Sequence, residues 1–313
     1  MLSRLSETCR SAKSSEHVRS AGHFGESFPA HGMKLAVGFF DGVHRGHQRI
    51  LAGADAVLTF RNHPLSVLAP SRAPALLMDA AERIALLKIV GTDTPRTVRA
   101  FRFTRRFASM SPADFAAFLR AEFPGLECVH CGGNWRFGAR GEGTPQVLRK
   151  LGFNVKVSGY AKFGGCAISS TRIRTALAEG DVALANKMLG RRFSVTGRIV
   201  RGKGMGRGLG FPTVNLEIPP ALNLKYGVYA VDTPYGRGVA NWGVAPTMGE
   251  NAWSAPVMEV HLLDGEAPSC VKKGRMEIEL VGFIRPERKF RSVDALCRQI
   301  AADVKVARAF SAV

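Results

Sequence analysis

The chain has 313 residues, of which 46% are hydrophobic, and its 44 Lys and Arg against 25 Asp and Glu give a formal charge of +19. Disordered chains lack this much apolar content, and the apolar runs are too short to span a bilayer. The low cysteine content, six in 313 residues, and the lack of an apolar signal segment argue against a secreted disulfide framework. We expect a soluble, cytoplasmic protein of one or two domains whose basic surface attracts nucleic acid, acidic membranes or phosphorylated small molecules.

The N-terminal segment, residues 1–31, differs in composition from the rest of the chain. It is rich in Ser and mixed charges and has little hydrophobic periodicity, which predicts a flexible extension. Glu7, Glu16 and Glu26 argue against a transit peptide, because such peptides are poor in acidic residues.

Residues 32–190 alternate between short apolar runs and helical patterns. The apolar runs, which are typical of buried parallel strands, are 34–40, 54–60, 128–132 and 153–158. Asp79 with Glu82, and Ser111 followed by Pro112, are typical helix starts. The alternation predicts an α/β domain whose parallel sheet is covered by helices on both faces.

The pattern changes at Gly190, where helical patterns at 170–179 and 181–189 end. Strand-like segments then follow at 193–201, 214–218, 227–232, 238–242, 257–263 and 275–281. A last helix begins after Ser292. Residues 191–313 therefore predict an antiparallel barrel domain with a C-terminal helix.

The densest chemical signal lies between the first strand and the first helix. The segment reads Gly38-Phe39-Phe40-Asp41-Gly42-Val43-His44-Arg45-Gly46-His47. A glycine-rich turn that opens a helix offers free N–H groups to a phosphate, and His44 and His47 can donate hydrogen bonds to a phosphoryl group. Two histidines at this spacing could instead bind zinc if a third ligand converged.

A second helix start, at residues 168–174, also suits an anion. Ser169, Ser170 and Thr171 supply hydroxyl and N–H groups, and Arg172 or Arg174 can bind an oxyanion. Taken alone, the Ser-Ser-Thr sequence would be an ordinary helix N-cap. Together with the first segment, it predicts a triphosphate held from both sides.

A glycine-rich loop precedes a polar strand in the second half. Its candidate phosphate-binding residues are Gly202, Lys203, Gly204, Gly206, Gly208 and Gly210, although an RNA-binding segment or a plain mobile loop would look the same. Thr213 and Asn215, two residues apart on one strand face, can both reach a magnesium-bound phosphate. Glu259 lies in an otherwise apolar strand and is either a functional carboxylate or a charge on the wet face of the barrel.

These motifs occur in the order found in the bacterial bifunctional riboflavin kinase/FAD synthetase family, which residues 33–308 resemble. The first half carries Phe-Asp-Gly-Val-His at 40–44, HxGH at 44–47, Thr-Phe-Arg-Asn-His-Pro at 59–64, Asn-Trp-Arg-Phe-Gly at 134–138 and Ser-Ser-Thr-Arg-Ile-Arg at 169–174. The second half carries the glycine-rich loop, Pro-Thr-x-Asn at 212–215, Gly-Val-Tyr at 227–229, Asn-Trp-Gly at 241–243 with Pro-Thr at 246–247, Glu259, and residues 284–290. The segment 48–58 is shorter than the family usually has, so a short first helix is expected.

The resemblance implies an α/β Rossmann-like nucleotidyltransferase domain followed by a six-stranded antiparallel Greek-key β-barrel domain with a C-terminal helix. It implies phosphorylation of riboflavin to FMN in the barrel, with Glu259 as base and Thr213 and Asn215 at Mg²⁺. It also implies adenylylation of FMN to FAD in the first domain, with release of pyrophosphate. His44, His47 and the residues matching the family's nucleotide site would bind ATP, namely Gly38, Phe39, Asp41, Gly46, Ser169, Ser170, Thr171, Arg172 and Arg174. His63 and Asn134 are implied flavin or adenine contacts.

The expected partners are therefore the small molecules riboflavin, FMN and ATP, with neither nucleic acid nor a membrane as a partner. Two other interpretations stay open at this point. The chain could adenylylate another phosphorylated acceptor, or it could be a basic RNA-binding protein that uses residues 191–213. Cys128 and Cys131, which have metal-binding or redox spacing, are expected to be buried structural cysteines because no second pair accompanies them.

Overall fold

The computed structural model describes residues 32–202, 205–218, 224–243, 256–264 and 274–310, without the side chains of residues 205 and 207. Several predicted features lie outside the described residues. They are the extension 1–31, Lys203, Gly204 and the Pro-Thr pair at 246–247.

Five parallel strands form the sheet of the N-terminal half, in the order β3-β2-β1-β4-β5. The strands are β1 (Met33–Val37), β2 (Ala56–Phe60), β3 (Thr97–Phe101), β4 (Leu126–Gly132) and β5 (Asn154–Ser158), and a small hairpin of β6 (Lys162–Phe163) and β7 (Cys166–Ala167) follows. The sequence predicted four of these five strands. It missed β3 because this edge strand buries only Phe101 and therefore lacks a continuous apolar run.

Helices cover the sheet, and the two that the sequence predicts to begin at Asp79 and Ser111 do so. They are α1 (Arg45–Leu51), α2 (Leu65–Leu68), α3 (Ala80–Ile89), α4 (Arg105–Ala108), α5 (Pro112–Glu122), α6 (Pro145–Lys150), α7 (Ser170–Glu179) and α8 (Val182–Leu189). Asp79 with Glu82 and Ser111 with Asp114 form capping boxes, as the sequence predicted. Helix α1 has only seven residues, which confirms the expected short first helix.

The second half is a closed barrel in the strand order β10-β11-β12-β9-β8-β13. Its strands are β8 (Phe193–Val200), β9 (Thr213–Glu217), β10 (Gly227–Thr233), β11 (Gly236–Gly243), β12 (Val257–Leu262) and β13 (Arg275–Arg285), with a short helix α9 (Met205–Gly208) before β9 and α10 (Val293–Ala309) after β13. Each neighbouring pair is antiparallel. The predicted fold class, an α/β sheet followed by a six-stranded antiparallel barrel and a helix, is confirmed.

Helix α10 is joined to the barrel by an ion pair that the sequence did not predict. Arg285 donates three hydrogen bonds of 2.7 to 3.1 Å to the carboxylate of Asp303, which is buried. The sequence pattern places Leu296, Ile300, Val304 and Ala307 on the buried face of this helix, but of these four only Ala307 is fully buried, and Asp303 is buried beside it. A buried pair of this kind destabilises by roughly 3 to 5 kcal/mol when one partner is removed.

The two halves share one hydrophobic core. Ile173, Leu177 and Met188 of helices α7 and α8 belong to the same cluster of buried residues as Tyr229 and Trp242 of the barrel. Each buried side chain of this size contributes about 1.5 to 3 kcal/mol of transfer free energy. The side chain of Asn186 strengthens the contact, because it accepts a bond from the Phe193 N–H and donates one to the Leu280 carbonyl. Among the described residues, no helix is both long and apolar enough to cross a membrane.

Candidate active sites

A cavity of about 560 Å³ opens at the carboxyl ends of the parallel strands. Its walls come from the segments that follow β1, β4 and β5 and from the start of α7. The strand order reverses between β1 and β4, and in doubly wound sheets ligands bind at such a switch point. The volume lies within the range of small-molecule sites.

Most of the predicted residues of the first site line this cavity. They are Gly38, Phe39, Asp41, His44, Gly46, His47, His63, Asn134, Ser169, Ser170, Thr171 and Arg174. Arg172 is placed differently, since it is not among the described residues that line the cavity. Its Nη1 donates to the carbonyls of Phe163 and Cys166, so its guanidinium closes the β6–β7 hairpin.

The turn that carries the two histidines has an unusual backbone. Phe40, Gly42 and Val43 have φ angles of +59°, +78° and +43°, in a region that residues with a Cβ adopt rarely. His44 then caps α1, its Nδ1 accepting a hydrogen bond of 3.2 Å from the His47 N–H. The two imidazole rings stack with their centroids 3.6 Å apart. Because Nδ1 of His44 accepts a bond, the neutral His44 ring carries its proton on Nε2.

Both imidazoles are held in the neutral form. The pKa of His44 is lowered to about 4, mainly by burial and also by the positive charge of Arg191. Burial also places the pKa of His47 well below its usual value, and the neighbouring His44 opposes its protonation as well. Nδ1 of His47 is inaccessible and has no hydrogen-bond partner among the described residues. At neutral pH the pair therefore offers N–H donors and no charge.

Asp41 joins the two predicted helix starts. Its carboxylate accepts from the Leu77 N–H at 3.0 Å and from Nη2 of Arg174 at 2.5 Å, and its carbonyl accepts from Oγ of Ser170 at 2.9 Å. Burial raises the pKa of Asp41, and the paired guanidinium of Arg174 opposes that rise. Asp41 thus holds the start of α7 against the turn of His44, although 129 residues separate Asp41 from Ser170.

One buried residue of this site was not predicted. Arg83 of α3 is fully buried, its guanidinium lies 4.1 Å from the centre of the Phe39 ring, and its Nη2 donates to the Phe60 carbonyl. Its Nε and Nη1 have no partner among the described residues. Phe39 in turn contacts His63 edge to face. The signal that could have found Arg83 is its position four residues before Leu87, on the buried face of α3.

The predicted residues of the second site lie on one outer face of the barrel. In the strand register Asn215 is opposite Glu259, which is opposite Asn241 on the next strand, and Thr213 is opposite His261. Met258 and Val260, the neighbours of Glu259, point into the core and are fully buried. Glu259 and Thr213 are exposed, so the structure brings these polar residues together on the solvent side.

The glycine-rich loop covers this polar face at two points. A Cβ on Gly202 would lie 2.0 Å from Nδ2 of Asn215, and one on Gly206 would lie 2.4 Å from the Phe211 carbonyl and 3.3 Å from Thr213. Only glycine allows the loop to approach so closely. Gly208 and Gly210 have open space around them, so a Cβ there would meet no neighbour.

The chemistry of the barrel residues fits a magnesium ion. Thr213, Asn215 and Glu259 offer hydroxyl, amide and carboxylate oxygens, the hard donors that Mg²⁺ prefers, and the loop at Gly202 leaves a cradle next to Asn215.

The zinc alternative for His44 and His47 finds no third ligand, since no group of three His, Cys, Asp or Glu side chains suited to a metal occurs in the described ranges. Cys131 is buried, Cys128 is half-buried, and burial raises the pKa of Cys131 to about 11.

Comparisons with known proteins agree with this arrangement. A family model described as FAD synthetase matches residues 28–172, and one described as riboflavin kinase matches residues 189–311. Proteins named bifunctional riboflavin kinase/FMN adenylyltransferase are 36% identical in Escherichia coli strain K12, over 90% of this chain and 94% of the relative, and 34% identical in Bacillus subtilis, over 86% and 89%.

A solved structure supports the combined architecture. A crystal structure of a protein named macrolide-efflux protein, from Streptococcus pneumoniae, superposes with a TM-score of 0.79 at 28% sequence identity and covers 91% of this chain and 96% of that one. The likeness spans both halves, and the sequence relatives match over nearly their whole length. The chain therefore belongs to the bifunctional riboflavin kinase/FMN adenylyltransferase family.

Proposed function

We propose that this chain makes FAD from riboflavin in two ATP-dependent steps, in two separate sites. The barrel phosphorylates riboflavin to FMN, and the α/β half transfers the adenylyl group of a second ATP to FMN. The observation that carries this proposal is the convergence of His44, His47 and the start of α7 on one cavity, while Thr213, Asn215 and Glu259 form a separate polar face.

In the α/β half, an oxygen of the FMN phosphate attacks the α-phosphorus of ATP. The bond between that phosphorus and the bridging oxygen breaks, and pyrophosphate leaves with the electron pair. Neutral His44 and His47 donate hydrogen bonds to oxygens whose negative charge grows as the bond to the leaving group breaks. The N–H groups at the start of α7 and the side chain of Arg174 hold the phosphates in line, so positioning supplies the rest of the rate.

In the barrel, Glu259 accepts the proton of the riboflavin 5′-hydroxyl as that oxygen attacks the γ-phosphorus of ATP, and ADP leaves. The backbone of the glycine-rich loop wraps the phosphates above Asn215. Thr213 and Asn215 would hold Mg²⁺. The ion, when bound, neutralises charge on the transferred phosphoryl group.

Neither alternative interpretation gains support from the comparisons. An adenylyltransferase for another acceptor has no use for a barrel that matches riboflavin kinase over residues 189–311. An RNA-binding protein needs no buried neutral histidines beside an anion-suited helix start. We also infer that the enzyme works in the cytoplasm, which is supported by its use of ATP and by the four free cysteines of the described residues.

Purified protein with riboflavin, ATP and Mg²⁺ tests the proposal directly. Chromatography should show FMN and then FAD, with one ADP and one pyrophosphate released for each FAD. Supplied FMN in place of riboflavin should give FAD and pyrophosphate without ADP. Absence of both flavin products overturns the proposal, and FMN without FAD restricts it to the barrel.

A further inference from the structure

The junction between α8 and β8 contacts the turn that carries His44. This junction consists of Leu189, Gly190 and Arg191, and it falls within the residues that match the riboflavin kinase model. The turn belongs to the other half of the chain, and 149 residues separate Gly42 from Arg191. A direct contact therefore links the second half of the chain to the adenylyl-transfer site.

Two side chains make this contact with the carbonyl groups of the turn. Nη2 of Arg191 donates to the Gly42 carbonyl at 3.0 Å. Nε2 of Gln48 donates both to the Val43 carbonyl and to the Leu189 carbonyl, each at 3.0 Å, and so bridges the turn and the junction. The Gly42 carbonyl is thus bonded to a side chain of the junction, and the Val43 carbonyl is bonded to a side chain that the junction also binds.

The turn requires such support because its backbone is strained. Phe40 and Val43 have positive φ without being glycine, and a residue held in this region costs of order 1 to 3 kcal/mol. His44 follows Val43 directly, so a relaxed turn would move the imidazole that stacks on His47. A misplacement of about 1 Å in a catalytic group can lower a rate roughly 100-fold.

The charge of Arg191 also reaches the site. Its side chain is half-buried and its Nη1 has no partner among the described residues. Burial lowers the pKa of Arg191, and the acidic group among the described residues that opposes this shift is Glu277 of β13. Its positive charge opposes protonation of His44. The same residue thus fixes the turn and favours the neutral imidazole.

We propose that Arg191 is a positioning residue for adenylyl transfer, which holds the Gly42–Val43 turn from the barrel side of the junction and keeps His44 in place. This inference rests on the proposed function of the α/β half. It makes FAD formation dependent on a residue of the kinase half, while the kinase reaction does not depend on Arg191.

Three variants of the full chain test it. Arg191→Gln removes the charge, Arg191→Lys keeps the charge without the planar guanidinium, and Arg192→Gln removes the same charge one residue away, where the side chain pairs with Asp232 of the barrel. FAD formation from FMN should fall roughly 10- to 100-fold in kcat for Arg191→Gln and less for Arg191→Lys. The kinase rate of both variants and the FAD formation of Arg192→Gln should stay within twofold of wild type.

A second readout separates positioning from general stability. An NMR titration of the His44 ring should show its pKa rising by roughly half a unit in Arg191→Gln and staying unchanged in Arg191→Lys, because only the first variant removes the charge. Gln48→Met, which removes the other link, should lower FAD formation without moving this pKa. If Arg191→Gln fails to fold, Gln48→Met still tests whether the link between the junction and the turn supports FAD formation.

The outcomes are distinct. If Arg191→Gln forms FAD within twofold of the wild-type rate, or loses kinase activity in the same proportion, the inference is overturned. If the wild type itself makes no FAD, the proposed function fails instead, and the His44 titration still shows whether Arg191 acts on the turn.

Discussion

The two candidate sites are built in opposite ways. In the α/β half the functional side chains are enclosed, they come from elements far apart in the chain, and burial suppresses the protonation of His44 and His47. On the barrel the candidate side chains stand on neighbouring strands, and Glu259 and Asn215 are opposite each other in the register. Glu259 and Thr213 are exposed, whereas Asn215 is buried beneath the glycine-rich loop. We expect the first site to depend on the desolvation of its side chains, and the second on the spacing of its side chains along hydrogen-bonded strands.

This difference indicates which perturbations each site tolerates. An enclosed site is sensitive to any change that moves a wall, including changes outside the cavity, because its donors act in a medium from which water is excluded. A site on a sheet face is sensitive to its own few side chains, because the hydrogen-bonded strands fix the backbone beneath them. The predictions below test this contrast.

The largest effect is expected for Glu259→Ala. FMN formation should fall at least ~10³-fold because the riboflavin hydroxyl loses its base, while supplied FMN is still converted to FAD. Both products can be followed by chromatography. Glu279→Ala, which removes an exposed carboxylate from another barrel strand, is the matched control and should keep both activities. Equal loss of the two activities in Glu259→Ala would contradict the separation of the sites.

His44→Asn is the corresponding change in the enclosed site. Asn preserves the helix cap that His44 provides, so the melting temperature should hold, but FAD formation should drop ~10²-fold through loss of a donor to the phosphates. Kinase activity of the same preparation is the internal control. A rate of FAD formation within threefold of wild type would show that His44 is only a cap.

Burial of His44 also predicts how stability depends on pH. Its pKa is about 4 in the folded protein and 6.5 when unfolded, so below pH 6.5 the unfolded chain binds the extra proton and the folded state loses stability. Because the unfolded chain takes up this proton first, the free energy of unfolding falls by about 3 kcal/mol as the pH drops from 6.5 towards 4, and it is unaffected by His44 above pH 6.5. Denaturant unfolding at several pH values should therefore show a flatter dependence for His44→Asn than for wild type. Parallel curves would mean that His44 is not desolvated.

Arg83→Met should have the smallest effect, and it tests whether Arg83 holds Phe39 in the wall of the cavity. Met fills a similar volume and removes a buried charge with two unpartnered nitrogens, so stability should change by no more than ~1 kcal/mol. The Phe39 ring, which contacts His63, loses the guanidinium that lies against it. The KM for FAD formation should therefore rise severalfold. Steady-state kinetics with FMN and ATP measure this, and unchanged constants would show that Phe39 is held without Arg83.

The contrast also explains what could be predicted from the sequence. The barrel site could be predicted because a period of two places Thr213 and Asn215 on one strand face, and because Glu259 interrupts an apolar run. The histidine turn could be predicted because glycines and a helix start are local signals. Both predictions concern placement, and the catalytic roles of these residues stay predictions.

What the sequence did not reveal depends on contacts between distant residues. Arg172 and Arg174 are equally basic, and their partners determine which of them faces the cavity. Arg174 donates to Asp41, 133 residues before it, and to the Ala75 carbonyl, whereas Arg172 donates to carbonyls of the β6–β7 hairpin. The burial of Arg83 and the contact of Arg191 with the turn of His44 are created by elements elsewhere in the chain. The position of Arg83 on the buried face of α3 is a local signal, but no local pattern indicates that Arg191 contacts the turn.

The core shared by helices α7 and α8 and the barrel determines where the chain can be divided. A cut after Gly190 follows the change in sequence pattern, but it would leave Leu177 and Met188 on one fragment and their contacts Tyr229 and Trp242 on the other. Each fragment would then expose apolar surface and aggregate. A barrel fragment designed for expression should therefore begin before Ser169 and carry both helices with it.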